Sequence, residues 1–292
     1  MNYRHAFHAG NFADVVKHVT LFCLLEHLNR KPKPWCYVET HAGRGHYRLD
    51  GAEARRGAEW PDGIGRLVDR RDLPGGIGRY LAQVSALTGN QAGLRCYPGS
   101  PLLARALMRA ADRAILAELQ PDEARALKKV FRGDARVAVH ETDGYQALKA
   151  FLPPTPRRGL VLVDPPYESS SELERLGQAL TQAARRWPTG IFALWYPIKD
   201  RRELAPLMRG LAAADDAPVL VAELTVAPAD NPAHMNGTGM AILRPPWRLE
   251  ETLRELYPVL GRLLRRERPA ATSIRRLDAG SVRATAARPQ RA

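Results

Sequence analysis

An acid, two prolines and an aromatic stand directly behind a continuous apolar run: Leu160-Val161-Leu162-Val163-Asp164-Pro165-Pro166-Tyr167. Such a run, without alternation, reads as a strand covered on both faces, so Asp164 is delivered at a strand's carboxyl end. These residue types suit the activation of an aromatic amine. The lone pair of such an amine is delocalised into the ring, and the nitrogen becomes a competent nucleophile when acceptors hold its two N–H groups and favour a more tetrahedral geometry. The Asp164 carboxylate and the Pro165 carbonyl are acceptors of this kind. Consecutive prolines fix φ at about −65° and remove backbone donors, which leaves a stiff loop with its carbonyls free for a substrate. Tyr167 adds a ring face on which a base drawn out of its stack can rest. In-line displacement at a sulfonium methyl needs mostly positioning and desolvation, with the amine proton passing to Asp164 or to water. The plain alternative is a rigid turn after a core strand.

Ligands of open α/β sheets bind outside the carboxyl ends of the strands, so the polar residues at the other strand ends belong to the same question. Glu118 ends an apolar run and is placed to accept from both ribose hydroxyls of an adenosine; otherwise it is a capping or surface carboxylate. Asp143, followed by Gly144, could accept from a cofactor's adenine amino group, or be an ordinary turn or helix N-cap. His41, Gly43 and Gly45 follow the first strand, where glycines let backbone approach a cofactor. Arg48 stands where the third glycine of the dinucleotide fingerprint would be, which disfavours a nicotinamide oxidoreductase. His5, His8, His18 and Asp14 could be metal ligands, but their spacings match no helical His pair with a further ligand, and no metal is expected. The segment from Tyr3 to Asn11 is a candidate lid. Trp195-Tyr196-Pro197 and Arg244-Pro245-Pro246-Trp247 could stack bases or pack a sheet edge.

Regular alternation must hold these residues in place. The pattern predicts a helix over 14–28, a strand over 35–39, and a charged, Gly-rich stretch over 47–95 with helical fragments and no clear strand. Strands follow near 114–118, 137–141, 159–163, 191–195, 219–226 and 240–243, with helices after 101 and over 121–131, 144–151, 171–187, 201–211 and 249–264. This is an α/β chain with a largely parallel sheet. The two last strands are joined without a helix, which puts one of them antiparallel at the sheet edge. The expected domains are 1–46 with 96–268 as the main body, 47–95 as an inserted helical lobe, and 269–292 as an Arg-rich, disordered tail.

The 292 residues can bury a large core, and 44 basic against 31 acidic residues give a formal charge of +13, which points to a polyanionic partner. From Arg265 onward eight Arg against Glu267 and Asp278 supply +6 of this. Cys23, Cys36 and Cys96 form no C-x-x-C pair, so neither a disulfide framework nor a zinc site is indicated. The start lacks a signal-peptide pattern and no apolar run reaches a membrane span, so a cytoplasmic protein is expected.

With these residues assembled, the chain resembles the RlmJ family of 23S ribosomal RNA adenine-N6 methyltransferases over nearly its whole length. The likeness rests on Tyr3-Arg4-His5, Phe7-His8-Ala9-Gly10-Asn11, Ala13-Asp14-Val15, Lys17-His18, Thr40-His41-Ala42-Gly43, Tyr97-Pro98-Gly99-Ser100-Pro101, Asp143-Gly144, Leu162 to Tyr167, and Ala193-Leu194-Trp195-Tyr196-Pro197. The resemblance implies a monomeric Rossmann-like class I methyltransferase, with a mostly parallel seven-stranded sheet, an antiparallel edge strand and a small helical insertion. It further implies S-adenosylmethionine as donor, with His18, His41, Gly43, Ser100, Glu118, Asp143, Gly144 and Asp164 at the cofactor. Asp164, with Pro165 and Tyr167, would be catalytic, and Tyr3, Lys17 and Tyr167 would meet the substrate adenine. The inserted lobe and the stretch after about 265 depart from the pattern. Two alternatives stay open: a DNA adenine-N6 methyltransferase, and a non-catalytic RNA-binding protein on the same fold.

Overall fold

Asn11 starts the first helix: its side chain accepts from the Asp14 backbone N–H, satisfying one of the free donors of the first turn. In a computed structural model describing residues 4–88, 93–167, 172–212, 218–228, 234–267 and 270–277, this helix, α1, runs Phe12–Asn29. It is buried all round, and Val15, Val16, Val19, Leu21, Leu24 and Leu25 are wholly inaccessible. Each such side chain contributes roughly 1.5–3 kcal/mol, enough together to offset the desolvation of Asp14, Lys17 and His18, which the same helix carries inward.

The chain continues as β1 Cys36–Glu39, β2 His46–Arg48, α2 Ala52–Gly57, α3 Gly75–Thr88, β3 Cys96–Pro98, α4 Ser100–Leu107, β4 Arg113–Glu118, α5 Pro121–Val130, β5 Val137–Glu141 and α6 Gly144–Ala150. There follow β6 Gly159–Val163, α7 Glu172–Arg186, β7 Ile191–Ile198, α8 Ala205–Ala212, β8 Val219–Thr225, β9 Gly237–Leu243, α9 Leu249–Leu264 and β10 Thr272–Leu277. The main sheet has the order β10-β8-β9-β7-β6-β1-β4-β5. Its five strands from β7 to β5 are parallel, while β9 is antiparallel to both β7 and β8. On β6, Leu160 and Leu162 enter one core and Val161 and Val163 the other, so the strand is covered on both faces as its composition requires. Helices α1, α4 and α9 close one face, and α6, α7 and α8 the other.

Four details differ from the sequence expectation. The sheet has eight strands rather than seven. The antiparallel edge strand is β10, not β8 or β9; β9 lies inside the sheet because the loop-linked pair inserts between β7 and β10. Residues 272–277, which the expected tail includes, supply that edge, with Arg275 and Arg276 giving it the cationic character that blocks further pairing. The stretch 47–95 is helical but is tied at its base by the antiparallel pair β2–β3. No helix among the described residues is long and apolar enough to cross a membrane.

The inserted lobe packs on the N-terminal segment. The Ile64 N–H donates to the Gly10 carbonyl at 2.9 Å, and Glu59 bonds His8 at 2.9 Å and Asn11 at 2.8 Å. The segment from His5 to Asn11 is thereby fixed as one wall of the opening above the sheet.

Candidate active site

A cleft of about 430 Å³ opens at the carboxyl ends of the parallel strands. It brings together Lys17, His18, His41, Gly43, Ser100, Glu118, Asp164, Pro165 and Tyr167 from the sequence expectation. Asp143 and Gly144 are not among its lining residues. Asp143 Oδ1 accepts from the Tyr145 and Gln146 backbone N–H groups and caps α6. Gly144 sits behind the cleft wall, where a Cβ would come within 2.5 Å of the Thr40 carbonyl and 2.8 Å of His41 Cε1. Tyr3 lies outside the described residues.

Asp164 leaves β6 facing Lys17. The Lys17 Nζ donates to Asp164 Oδ2 at 2.5 Å and to Asp14 Oδ1 at 2.8 Å. Asp14 Oδ2 in turn accepts from His5 Nε2 at 2.8 Å and from the Gly10 N–H at 3.0 Å. Burial opposes the charge on Lys17, but the two carboxylates outweigh it and hold its ammonium protonated well above the usual lysine range. Burial likewise pushes Asp14 upward, yet His5 and Lys17 hold its carboxyl well below the ordinary value. The result is a locked cation that orients Asp164 through Oδ2 and leaves Oδ1 outside the pair.

Tyr167 has φ +53°, a left-handed backbone that few non-glycine residues adopt. Its hydroxyl donates to the Trp195 carbonyl, and its ring meets Trp195 edge to face at 5.6 Å. The strain is held by these contacts, in keeping with a functional loop. Trp195 and Pro197 line the same cleft, whereas Tyr196 faces away and donates to the buried Glu223 at 2.9 Å. Arg244 to Trp247 follow β9 at the opposite end of the sheet, because Leu243 pairs with Phe192 near the start of β7.

The other wall fits an adenosine-bearing cofactor. Glu118 is held by the Gly43 N–H at 2.7 Å and the Gln120 N–H at 2.8 Å, and burial raises its carboxyl. Gly43 needs φ +61°, and a Cβ there would fall 2.3 Å from the Tyr47 hydroxyl. His18 Nδ1 lies 2.9 Å from the Tyr97 hydroxyl. Its Nε2 is the one buried side-chain nitrogen or oxygen among the described residues without a partner. Burial lowers its pKa to about 3, so the imidazole is neutral, and the residue lines the cleft. Burial likewise lowers His41 to about 4.

Sequence reasoning missed Glu39, at the carboxyl end of β1. It is wholly buried beneath Ser100, which donates to Oε1, while Tyr37 donates to Oε2 at 2.9 Å. Desolvation pushes its carboxyl up to about 8 from 4.5. A carboxyl raised on folding stabilises the fold below its unfolded value, and that stability is lost as pH rises through the folded value. Glu39→Gln, which mimics the protonated form, is therefore expected to gain stability over the wild type between pH 4.5 and about 8, by up to about 1.4 kcal/mol per pH unit. Urea unfolding of both proteins across that window tests this; a pH-independent difference would mean that Glu39 does not titrate there.

The sheet order, the inserted antiparallel β9 and a cleft at the carboxyl ends of β1, β4 and β6 define a Rossmann-like class I methyltransferase. Comparison with known proteins agrees. Residues 32–274 match the family model described as "Ribosomal RNA large subunit methyltransferase D, RlmJ". Two relatives named Ribosomal RNA large subunit methyltransferase J are similar throughout. The one from Haemophilus influenzae is 42% identical over 264 residues, covering 90% of this chain and 94% of its own. The one from Escherichia coli is 41% identical over 261 residues, covering 89% and 92%. A crystal structure of a Legionella pneumophila protein superposes with TM-score 0.85 at 34% identity, covering 92% of this chain and 98% of that one. The chain belongs to the RlmJ family of large-subunit ribosomal RNA methyltransferases.

Proposed function

We propose that the protein methylates the N6 amino group of an adenine in 23S ribosomal RNA, with S-adenosylmethionine as donor, acting as a monomer in the cytoplasm. The observation that carries the reading is the Lys17–Asp164 pair beside Pro165 and Tyr167 at the cleft wall. The bound cofactor would supply a sulfonium methyl for in-line displacement. Glu118 is suited to its ribose hydroxyls and His18 Nε2, His41 and Ser100 to its remaining polar groups, while Asp143 Oδ2, which the α6 cap does not use, would meet its adenine beside Gly144. Asp164 accepts one N–H of the substrate amine through the oxygen that Lys17 leaves free, and the Pro165 carbonyl accepts the other. Tyr167 and Trp195 bound the slot in which the extruded base rests, and Tyr3 would help to organise it, as the family resemblance implies. Withdrawing both N–H groups into acceptors returns the nitrogen lone pair from the ring, and the excess proton leaves to Asp164 or to water.

Incubating the protein with labelled S-adenosylmethionine and protein-free 23S rRNA, duplex DNA or no acceptor, followed by nucleoside analysis, tests the reading. N6-methyladenosine from rRNA alone is the expected result. Label in DNA would transfer the activity to the other polymer, and label in neither would leave the fold without this function.

A further inference from the structure

The interior of the cleft and its lip carry opposite charge. Asp14, Glu59, Glu118, Glu123 and Asp164 line it against the buried Lys17, an excess of carboxylate suited to N–H and O–H donors and repellent to phosphate. A nucleic acid that inserts a base here must keep its backbone outside, at the rim. Among the arginines around the site, Arg44 cannot help, because it is committed to Glu53 and Glu123, both within 2.9 Å.

Two are arranged differently. The Arg56 guanidinium lies 5.9 Å from the centre of the Phe7 ring, and that of Arg266 lies 5.1 Å from the Phe12 ring. Both arginines are exposed, and neither is ion-paired among the described residues. Phe7 and Phe12 stand at the two ends of the segment whose His8 and Asn11 line the cleft, so the two guanidiniums bracket that wall. Arg266 is also tied to the opposite lip. Its N–H donates to the Val226 carbonyl at 2.9 Å, and the Val226 N–H donates to the Asn236 carbonyl at 2.8 Å. Asn236 Nδ2 completes the link, donating to the Lys199 carbonyl at 3.2 Å. Lys199 is exposed, lines the cleft and belongs to no ion pair among the described residues.

We propose that Arg56, Arg266 and Lys199 hold the sugar-phosphate backbone of single-stranded RNA on either side of the adenine that enters the cleft. The proposal rests on the RNA methyltransferase reading above. A guanidinium laid on an aromatic face keeps its N–H edge directed outward, where it matches two phosphate oxygens, and the ring restrains its rotamers before the ligand arrives. The lysine adds a compact charge across the opening. A single strand fits because the target base must leave its stack, and bases without a duplex partner leave it most readily.

The test is fluorescence-anisotropy titration of a short polyadenylate RNA over a range of KCl concentrations. Each phosphate contact to a single strand contributes about 0.7 to the slope of log K against log salt. The triple variant Arg56→Gln/Arg266→Gln/Lys199→Gln is expected to lose about 2 from that slope and to bind at least about tenfold more weakly at near-physiological salt. Arg56→Lys/Arg266→Lys, carrying wild-type Lys199, should keep the wild-type slope while losing part of the affinity. S-adenosylmethionine affinity should be unchanged in Arg56→Gln/Arg266→Gln, which reports an intact cleft. An unchanged salt slope in the triple variant overturns the proposal and leaves the methyltransferase reading untouched. A parallel loss of S-adenosylmethionine affinity overturns it by marking the arginines as structural. A wild-type protein that binds no RNA overturns the RNA reading itself.

Discussion

Asp164→Ala is expected to lower methyl transfer by about 10²- to 10⁴-fold, the range that a positioned acid–base group contributes, while the protein stays folded. The substitution removes the acceptor that holds one N–H of the amine. It strands no buried charge, because the Lys17 ammonium keeps Asp14 at 2.8 Å. The stability cost is confined to one charge-assisted hydrogen bond, about 1.5–3 kcal/mol. Asp164→Asn should fall between: the amide retains one acceptor oxygen but turns a donor toward either Lys17 or the substrate. Single-turnover transfer of labelled methyl, alongside urea unfolding, separates the two effects. Activity close to wild type in the alanine variant would remove Asp164 from the chemistry and return the Asp-Pro-Pro-Tyr loop to a structural turn.

Lys17→Met is expected to be the most destabilising single change in the site, at about 3–5 kcal/mol near neutral pH. Lys17 is 4% exposed and stands between Asp14 and Asp164, so its removal leaves two carboxylates facing one another with a single cation-capable neighbour, His5. The dependence on pH follows from Asp14. A carboxyl held below its ordinary 3.8 stabilises the fold above that value and loses the contribution as pH falls through its folded value. Lys17 is one cause of that depression, so the gap between variant and wild type should persist from neutral pH down to about 3.8 and narrow only below it. Methyl transfer should fall as well, because Asp164 loses the partner that orients it. Urea midpoints for both proteins at several pH values provide the check; equal stability at pH 7 would mean that solvent, not Lys17, satisfies the two carboxylates.

What the sequence could reveal followed the periodicity of its apolar residues. The run from Leu160 to Val163 announced a doubly covered strand, and the Asp164 turn behind it was visible because acid, proline and aromatic types are unusual together at a strand end. Helix α1 was harder. The resemblance placed Lys17 and His18 at the site, but the periodicity alone gave only a helix; Asp14, Lys17 and His18 are buried, and only tertiary packing discloses that they satisfy one another or face the cleft. Glu39 went unnoticed because a single acid closing a four-residue strand has no pattern of its own, and its partner Ser100 is distant in sequence. Asp143 shows the opposite case. Its two readings, cofactor acceptor and N-cap, were equally open from the sequence, and the described geometry places its Oδ1 in the cap. Strand β10 was hidden by its arginines, which signal a solvated tail when considered alone and protect a sheet edge once Leu277 and Ile274 are seen to pack inward.

The pair that organises the cleft joins residues 147 positions apart. Helix α1 leaves a translating ribosome well before β7, β9 and α9, yet it packs against all three. A nascent chain therefore carries Lys17, Asp14 and His18 with α3, α4 and Tyr97 to pack against the helix before those later segments follow. Contacts of such long sequence separation form late, because loop closure must be offset by the burial that it permits. The cleft is thus assembled only once α9 has followed, and truncations that remove α9 are expected to yield no partly active fragments.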